Sequence, residues 1–190
     1  MAGCISCAIT RCINQRINQR IQSFFAIMIP GINIRPIAPA DNAAMAKVIR
    51  TALEEFGANK PGTVYYDDTT DALYELFAGT PNSLYLVAER EGELVGGAGI
   101  FPTDQLPEGV CELVKMYLRK DVRNIGLGRS MIDECLKRAK AIGYKQVYLE
   151  TMPELRKAVS VYEKFGFEYL KGPMGNSGHN GCDIWMLKTI

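Results

Sequence analysis

Net charge, long apolar runs and histidine are all scarce in this chain of 190 residues. Lys plus Arg is 22 against 21 for Asp plus Glu, so no general field draws the protein to nucleic acid or to an anionic membrane. No apolar run approaches the roughly 20 residues that a membrane-spanning helix needs. The longest near the N-terminus, Phe24 to Ile29, is cut by Pro30-Gly31. These absences predict a soluble protein with neither nucleic acid nor membrane as partner. Cys4, Cys7 and Cys12 cluster, yet with no histidine nearby they fall short of the ligand set of a structural zinc site, and no metal is expected. Cys111 and Cys135 fall within apolar segments and read as small buried residues, which fits a reducing, cytoplasmic setting.

The length suits one domain with a substantial core. Residues 1–33 contain no Asp or Glu but include Arg11, Arg16 and Arg20, whereas the remainder mixes both signs. Ile13-Asn14-Gln15-Arg16 is followed at once by Ile17-Asn18-Gln19-Arg20, which sets isoleucines on one helical stripe and arginines on another. Such a segment reads as an organellar transit peptide. It also reads as an appendage, from an upstream mis-start, to a domain beginning near Met28, or as an accessory docking helix or membrane-surface anchor. We take 1–33 as an N-terminal extension and 34–190 as the domain proper.

Ile34-Arg35-Pro36-Ile37 reads as an edge-tolerant strand, and Pro39-Ala40-Asp41 as a turn and N-cap. Ala44, Val48, Ile49, Ala52 and Phe56 give a helical period that Gly57 stops. Asp67-Asp68-Thr69-Thr70-Asp71 caps a second helix through about Phe77. Leu84 to Ala88, Glu93 to Phe101 and Val110 to Leu118 read as strands, the first two joined at Glu91-Gly92 as a hairpin. A helix from Ser130 to Ala141, a strand from Gln146 to Glu150, a helix from Leu155 to Phe165 and two terminal strands, Phe167 to Leu170 and Asp183 to Leu187, follow. The class is α+β: a mixed, mostly antiparallel sheet, splayed at a cofactor cleft and flanked by helices.

The most informative segment is Arg123-Asn124-Ile125-Gly126-Leu127-Gly128-Arg129, between a strand and a helix. Two glycines let the backbone pass close to a ligand, and the amides that open the next helix have no intrahelical acceptor, so the junction suits an anion. It is not a kinase-type P-loop, because Gly128 is followed by Arg129 and Ser130 with no lysine. Nor is it a dinucleotide fingerprint, which needs a third small residue where Met131 stands.

Around it lie Glu112-Leu113-Val114-Lys115-Met116-Tyr117-Leu118, then Val147-Tyr148-Leu149-Glu150, then Ala158-Val159-Ser160-Val161-Tyr162-Glu163-Lys164-Phe165-Gly166-Phe167. In that order and register, from about Ile34 to Leu187, the chain resembles the GNAT superfamily of acyl-CoA-dependent N-acetyltransferases. The resemblance implies acetyl-CoA as cosubstrate, with the pyrophosphate wrapped by Arg123 to Arg129 and Ser130. It implies pantetheine bonded by backbone along Met116, Tyr117 and Leu118. Glu112 falls where many members carry the acid that deprotonates the amine directly or through water, and Tyr162 where the family tyrosine faces the departing thiolate. Cys111, beside Glu112, should point to the opposite face of its strand, which argues against an acyl-cysteine intermediate. One departure stands out: Leu155 occupies a position where many relatives carry an asparagine. For the acceptor side the resemblance implies Tyr65, Tyr66 and His179. Asp67, Asp68 and Asp71 read as caps and helix-dipole partners that could also attract a cationic amine. The expected activity is acetyl transfer to the primary amine of a small molecule, and a homodimer stays open.

Overall fold

The computed structural model describes residues 29–178 and 180–190. The expectations for the Cys4, Cys7, Cys12 cluster, for the repeat at 13–20 and for His179 lie outside the described residues. The strands are β1 (Ile32–Pro36), β2 (Leu84–Arg90), β3 (Glu93–Phe101), β4 (Val110–Leu118), β5 (Gln146–Thr151), β6 (Glu168–Tyr169) and β7 (Ile184–Thr189). The helices are α1 (Asn42–Glu55), α2 (Leu73–Gly79), α3 (Leu127–Ile142) and α4 (Arg156–Lys164). The strands form one seven-stranded sheet in the order β1-β2-β3-β4-β5-β7-β6. Every neighbouring pair is antiparallel except β4 with β5. Among the described residues no helix is long and apolar enough to cross a membrane.

Each face of the sheet is covered by helices because each helix carries one apolar stripe. Met45, Ile49 and Leu53 of α1 and Leu73 and Phe77 of α2 are buried with Tyr85 and Val87 on one side. Met131, Ile132, Cys135 and Ala139 of α3, with Tyr162 of α4, are buried with Cys111, Leu113 and Val147 on the other. Cys111 thus faces away from Glu112 as strand alternation requires, and burial pushes its thiol up to about 12.

Three local expectations shift. The run Asp67–Asp71 does not cap the second helix: residues Asp68–Asp71 form a 3₁₀ turn of their own, and the helix begins at Leu73 with Ala72 as its N-cap. The helix expected from Ser130 begins at Leu127, because Gly126, left-handed at φ +93°, is its N-cap. Asp41 stands at the head of α1 but makes no capping bond to it. Its carboxylate instead accepts from Arg35 Nη1 at 2.6 Å and the Ala38 amide at 2.7 Å, because a guanidinium within reach is a stronger partner than a helix amide.

The feature that shapes the site is a bulge in β4. Gly97 pairs with Tyr117 and Gly99 with Val114, so Lys115 and Met116 together oppose Ala98 alone. Lys115 takes the left-handed conformation, φ +49°. The buried Tyr85 hydroxyl donates to the Lys115 carbonyl at 2.8 Å and holds the distortion. Its ring fits because β3 offers no side chain beneath it. A Cβ at Gly97 would stand 2.6 Å from Tyr85 Cε1, and one at Gly99 2.6 Å from Tyr85 Cδ2. We expect Gly97→Ala to destabilise the fold by about 1–3 kcal/mol through overpacking, read as a lower denaturant midpoint. An unchanged midpoint would mean that Tyr85 has room to move.

Candidate active site

The parallel pair that follows the bulge is short. Val110, Cys111 and Glu112 pair with Gln146, Val147 and Tyr148, and pairing stops there although β4 runs on to Leu118. The strands part, and a cleft of about 680 Å³ opens between β4, the loop before α3, and α4. The β4 backbone facing it has no strand partner beyond Glu112, which leaves hydrogen-bonding groups available to a ligand.

At the loop end, the site is made of backbone. No heavy atom lies within 4 Å of where a Cβ of Gly126 would stand, so the chain is bare there. The first helical bond runs from the Ser130 amide to the Gly126 carbonyl at 3.1 Å. The amides of Leu127, Gly128 and Arg129 therefore lack an intrahelical acceptor at the positive end of a 16-residue helix. That set of donors fits a pyrophosphate.

The two arginines of the motif are placed differently. Arg123 donates from Nε and Nη2 to the Leu118 carbonyl at 2.9 and 2.8 Å, and pairs with Glu55 at 2.6 Å. Its guanidinium also lies 4.9 Å from the Phe56 ring centroid. It is committed to closing the end of β4 and fastening it to the end of α1. Arg129 lies 6.0 Å from the Phe165 centroid on the cleft wall. Asn124 lines the cleft, whereas Ile125 is exposed at the loop tip, Leu127 is buried beneath it and Ser130 is not part of the wall. Met116, Tyr117 and Leu118 all line the cleft.

Glu112 and Tyr162 both reach the same cavity. Glu112 is only 4% exposed, and its Oε2 accepts from the Thr103 hydroxyl. Tyr162 packs edge-on to Phe167 at 5.8 Å, and burial raises its hydroxyl pKa well above the usual phenol value. It stays protonated, as a proton donor must.

Among the cavity residues that the sequence did not single out are Glu150, Cys182 and Lys115. Glu150, on β5, accepts from the Tyr148 hydroxyl and from Ser177 Oγ, each at 2.8 Å. Cys182 is there too, its thiol pushed up to about 12, first by burial and then by Glu150 and Glu112. Lys115 is the third: Nζ donates to Asp67 Oδ2 at 2.6 Å and to Thr70 Oγ1 at 3.3 Å. Only Lys115 left a trace in the sequence, as a charge inside the apolar run Leu113-Val114-Lys115-Met116-Tyr117.

Tyr65 and Tyr66 do not line the cavity; their neighbour Val64 does. Tyr65 donates to Glu54 at 2.6 Å and stacks edge-on with the exposed Tyr66. Of the acidic run, Asp67 caps its own 3₁₀ turn through the Thr69 amide and Asp71 pairs with Arg50 at 2.7 Å. Leu155 lines the cavity just ahead of α4.

Residues 44–167 match the model of the acetyltransferase (GNAT) family. The chain is 38% identical over 167 residues to the uncharacterized N-acetyltransferase YjgM of Escherichia coli (strain K12), covering 83% of this chain and 99% of that relative. It superposes on an acetyltransferase of the GNAT family from Staphylococcus aureus Mu50 with a TM-score of 0.74 at 18% identity, over 83% of this chain and 98% of that one. The PaiA N-acetyltransferase of Thermoplasma acidophilum, solved with coenzyme A, gives a TM-score of 0.66 at 19% identity, over 85% of this chain and all 100% of its own.

The contrast between the arginines is measurable by denaturation. Arg123→Ala should cost about 1–3 kcal/mol, because it strands a carbonyl and a half-buried carboxylate. Arg129→Ala should stay within about 0.5 kcal/mol. Equal losses would contradict the division of roles.

Proposed function

Because the chain belongs to the acetyltransferase (GNAT) family and is an acetyl-CoA-dependent N-acetyltransferase, we propose that its acceptor is the primary amine of a small cytoplasmic molecule. We further propose that the amine attacks directly within a ternary complex. The thioester supplies an activated acetyl group and a thiolate leaving group. Amides of the Leu127–Arg129 turn hold the pyrophosphate, and Arg129 adds charge there. Backbone groups along Met116–Leu118 align the pantetheine arm and polarise the carbonyl. Glu112 takes the proton from the amine, directly or through one water, while the Thr103 hydroxyl fixes the orientation of its carboxylate. Tyr162 gives its proton to the departing sulfur.

One observation carries the small-acceptor reading: the β6–β7 loop, which reaches the cavity at Cys182, is bonded on several sides. The Gly181 amide donates to the Gly62 carbonyl at 3.0 Å, the Asn176 amide to the Asp104 carbonyl at 2.7 Å, and Ser177 to Glu150. Such strapping favours a closed pocket over a peptide-wide groove. Glu112 and Glu150 inside it favour a cationic acceptor.

Thiol release from acetyl-CoA across amines, amino acids, polyamines, aminoglycosides and peptides tests this. Turnover with a small amine, falling roughly 100-fold or more in Glu112→Gln, is expected. Tyr162→Phe should lower kcat by about tenfold or more while leaving acetyl-CoA affinity unchanged. Turnover confined to peptides would replace the small acceptor with a protein one. Binding of acetyl-CoA without turnover on any amine would mark a non-catalytic module.

A further inference from the structure

Lys115 carries its ammonium into the interior at the point where the bulge turns it out of the strand register. The side chain is 5% exposed, and its ion pair with Asp67 joins β4 to the 3₁₀ turn Asp68–Asp71, 48 residues away in sequence. Thr70, itself fully buried, adds the second contact and donates its own hydroxyl to the Val64 carbonyl at 2.9 Å. A buried ion pair is costly to desolvate and weak evidence of stabilisation. The adjoining wall of the cavity, Val64, depends on it through Thr70.

The charge of Glu112 also acts on this ammonium. Both residues lie on the α1 side of the sheet, since Val114 and Tyr117 pack there while Leu113, Met116 and Leu118 pack on the α3 side. The charged and titratable groups around the pair are Asp67 and Arg50 near Lys115, and Cys111, Tyr148 and Cys182 near Glu112. Burial lowers the ammonium's pKa, and Asp67 and then Glu112 pull it back up.

We propose that Lys115 is a positioning residue for the acceptor half of the reaction: it fastens the 67–71 turn to the bulge and sets the charge that Glu112 feels. This rests on the reading of Glu112 as the base. The sign follows from elementary electrostatics. A cation nearby favours the ionised carboxylate, so its removal shifts the titration of Glu112 to higher pH.

The test is a ¹³C NMR titration of the Glu112 carboxyl, identified by its absence in Glu112→Gln, in the wild-type chain and in Lys115→Met. The midpoint should rise by roughly one pH unit or more. With a turned-over amine, its KM should rise about tenfold or more as the wall loosens, with the KM for acetyl-CoA within about twofold. Because Lys115→Met removes the cation paired with Asp67, the double variant Lys115→Met/Asp67→Asn is measured alongside. It should recover thermal stability with a midpoint between those of Lys115→Met and the wild type, since an anion is removed with the cation, whereas a purely structural role would leave the midpoint unmoved. An unmoved midpoint in both variants, or equal rises in both KM values, would overturn the proposal. Full turnover in Glu112→Gln together with a shifted midpoint would remove the base reading while leaving the electrostatic coupling in place.

Discussion

The site depends on one register slip. Without the extra residue in β4, Lys115 would follow strand alternation, and Glu112 would sit on a strand free to pair with β5 along more of its length. The slip needs a partner for a carbonyl turned out of the ladder and space for the group that supplies it. Tyr85 is that partner, and Gly97 and Gly99, which put no side chain beneath its ring, are that space. A left-handed lysine costs of order 1–3 kcal/mol, and the buried hydrogen bond offsets part of it. The fold thus stores strain where it builds the cleft.

The cleft divides into two halves with different physics. Toward α3 it presents backbone donors and a helix terminus, a surface of fixed dipoles suited to phosphate oxygens. Toward the β6–β7 loop it presents carboxylates whose oxygens are held by hydroxyls: Glu112 by Thr103, and Glu150 by Tyr148 and Ser177. The first half has no need of particular side chains. The second consists of almost nothing else, and Lys115 beside it is paired with Asp67. In the proposed reaction this field would sort anionic cosubstrate and cationic acceptor to opposite ends.

That division explains what was legible in the sequence. The backbone toward α3 was readable because glycines at fixed spacing, a strand before them and a helix after them specify backbone, and backbone follows from local pattern. β3 and β4 begin and end where alternation and turn residues place them. The start of α3 was missed because a left-handed glycine can be a cap as easily as a loop residue. On the acceptor side the partners are far apart in sequence: Thr103 with Glu112, Ser177 with Glu150, Asp67 with Lys115. Nothing in local spacing announces such pairs. Tyr65 and Tyr66 drew notice as a pair of aromatics, yet the wall is formed by Val64 beside them.

Arg123 shows how a motif residue can be committed to the fold itself. Its Nε and Nη2 donate to the Leu118 carbonyl, its Nη1 pairs with Glu55, and its flat face lies over Phe56. Leu118 is the last residue of β4 and Glu55 the last of α1, so one side chain joins the strand that carries Glu112 to the helix whose Ala52 lines the cavity. A lysine there would keep the charge but lose the fork that grips carbonyl and carboxylate together. The arginine at the head of the motif is therefore explained by what it holds in place, and in the proposed reading the anion falls to the amides and Arg129 behind it.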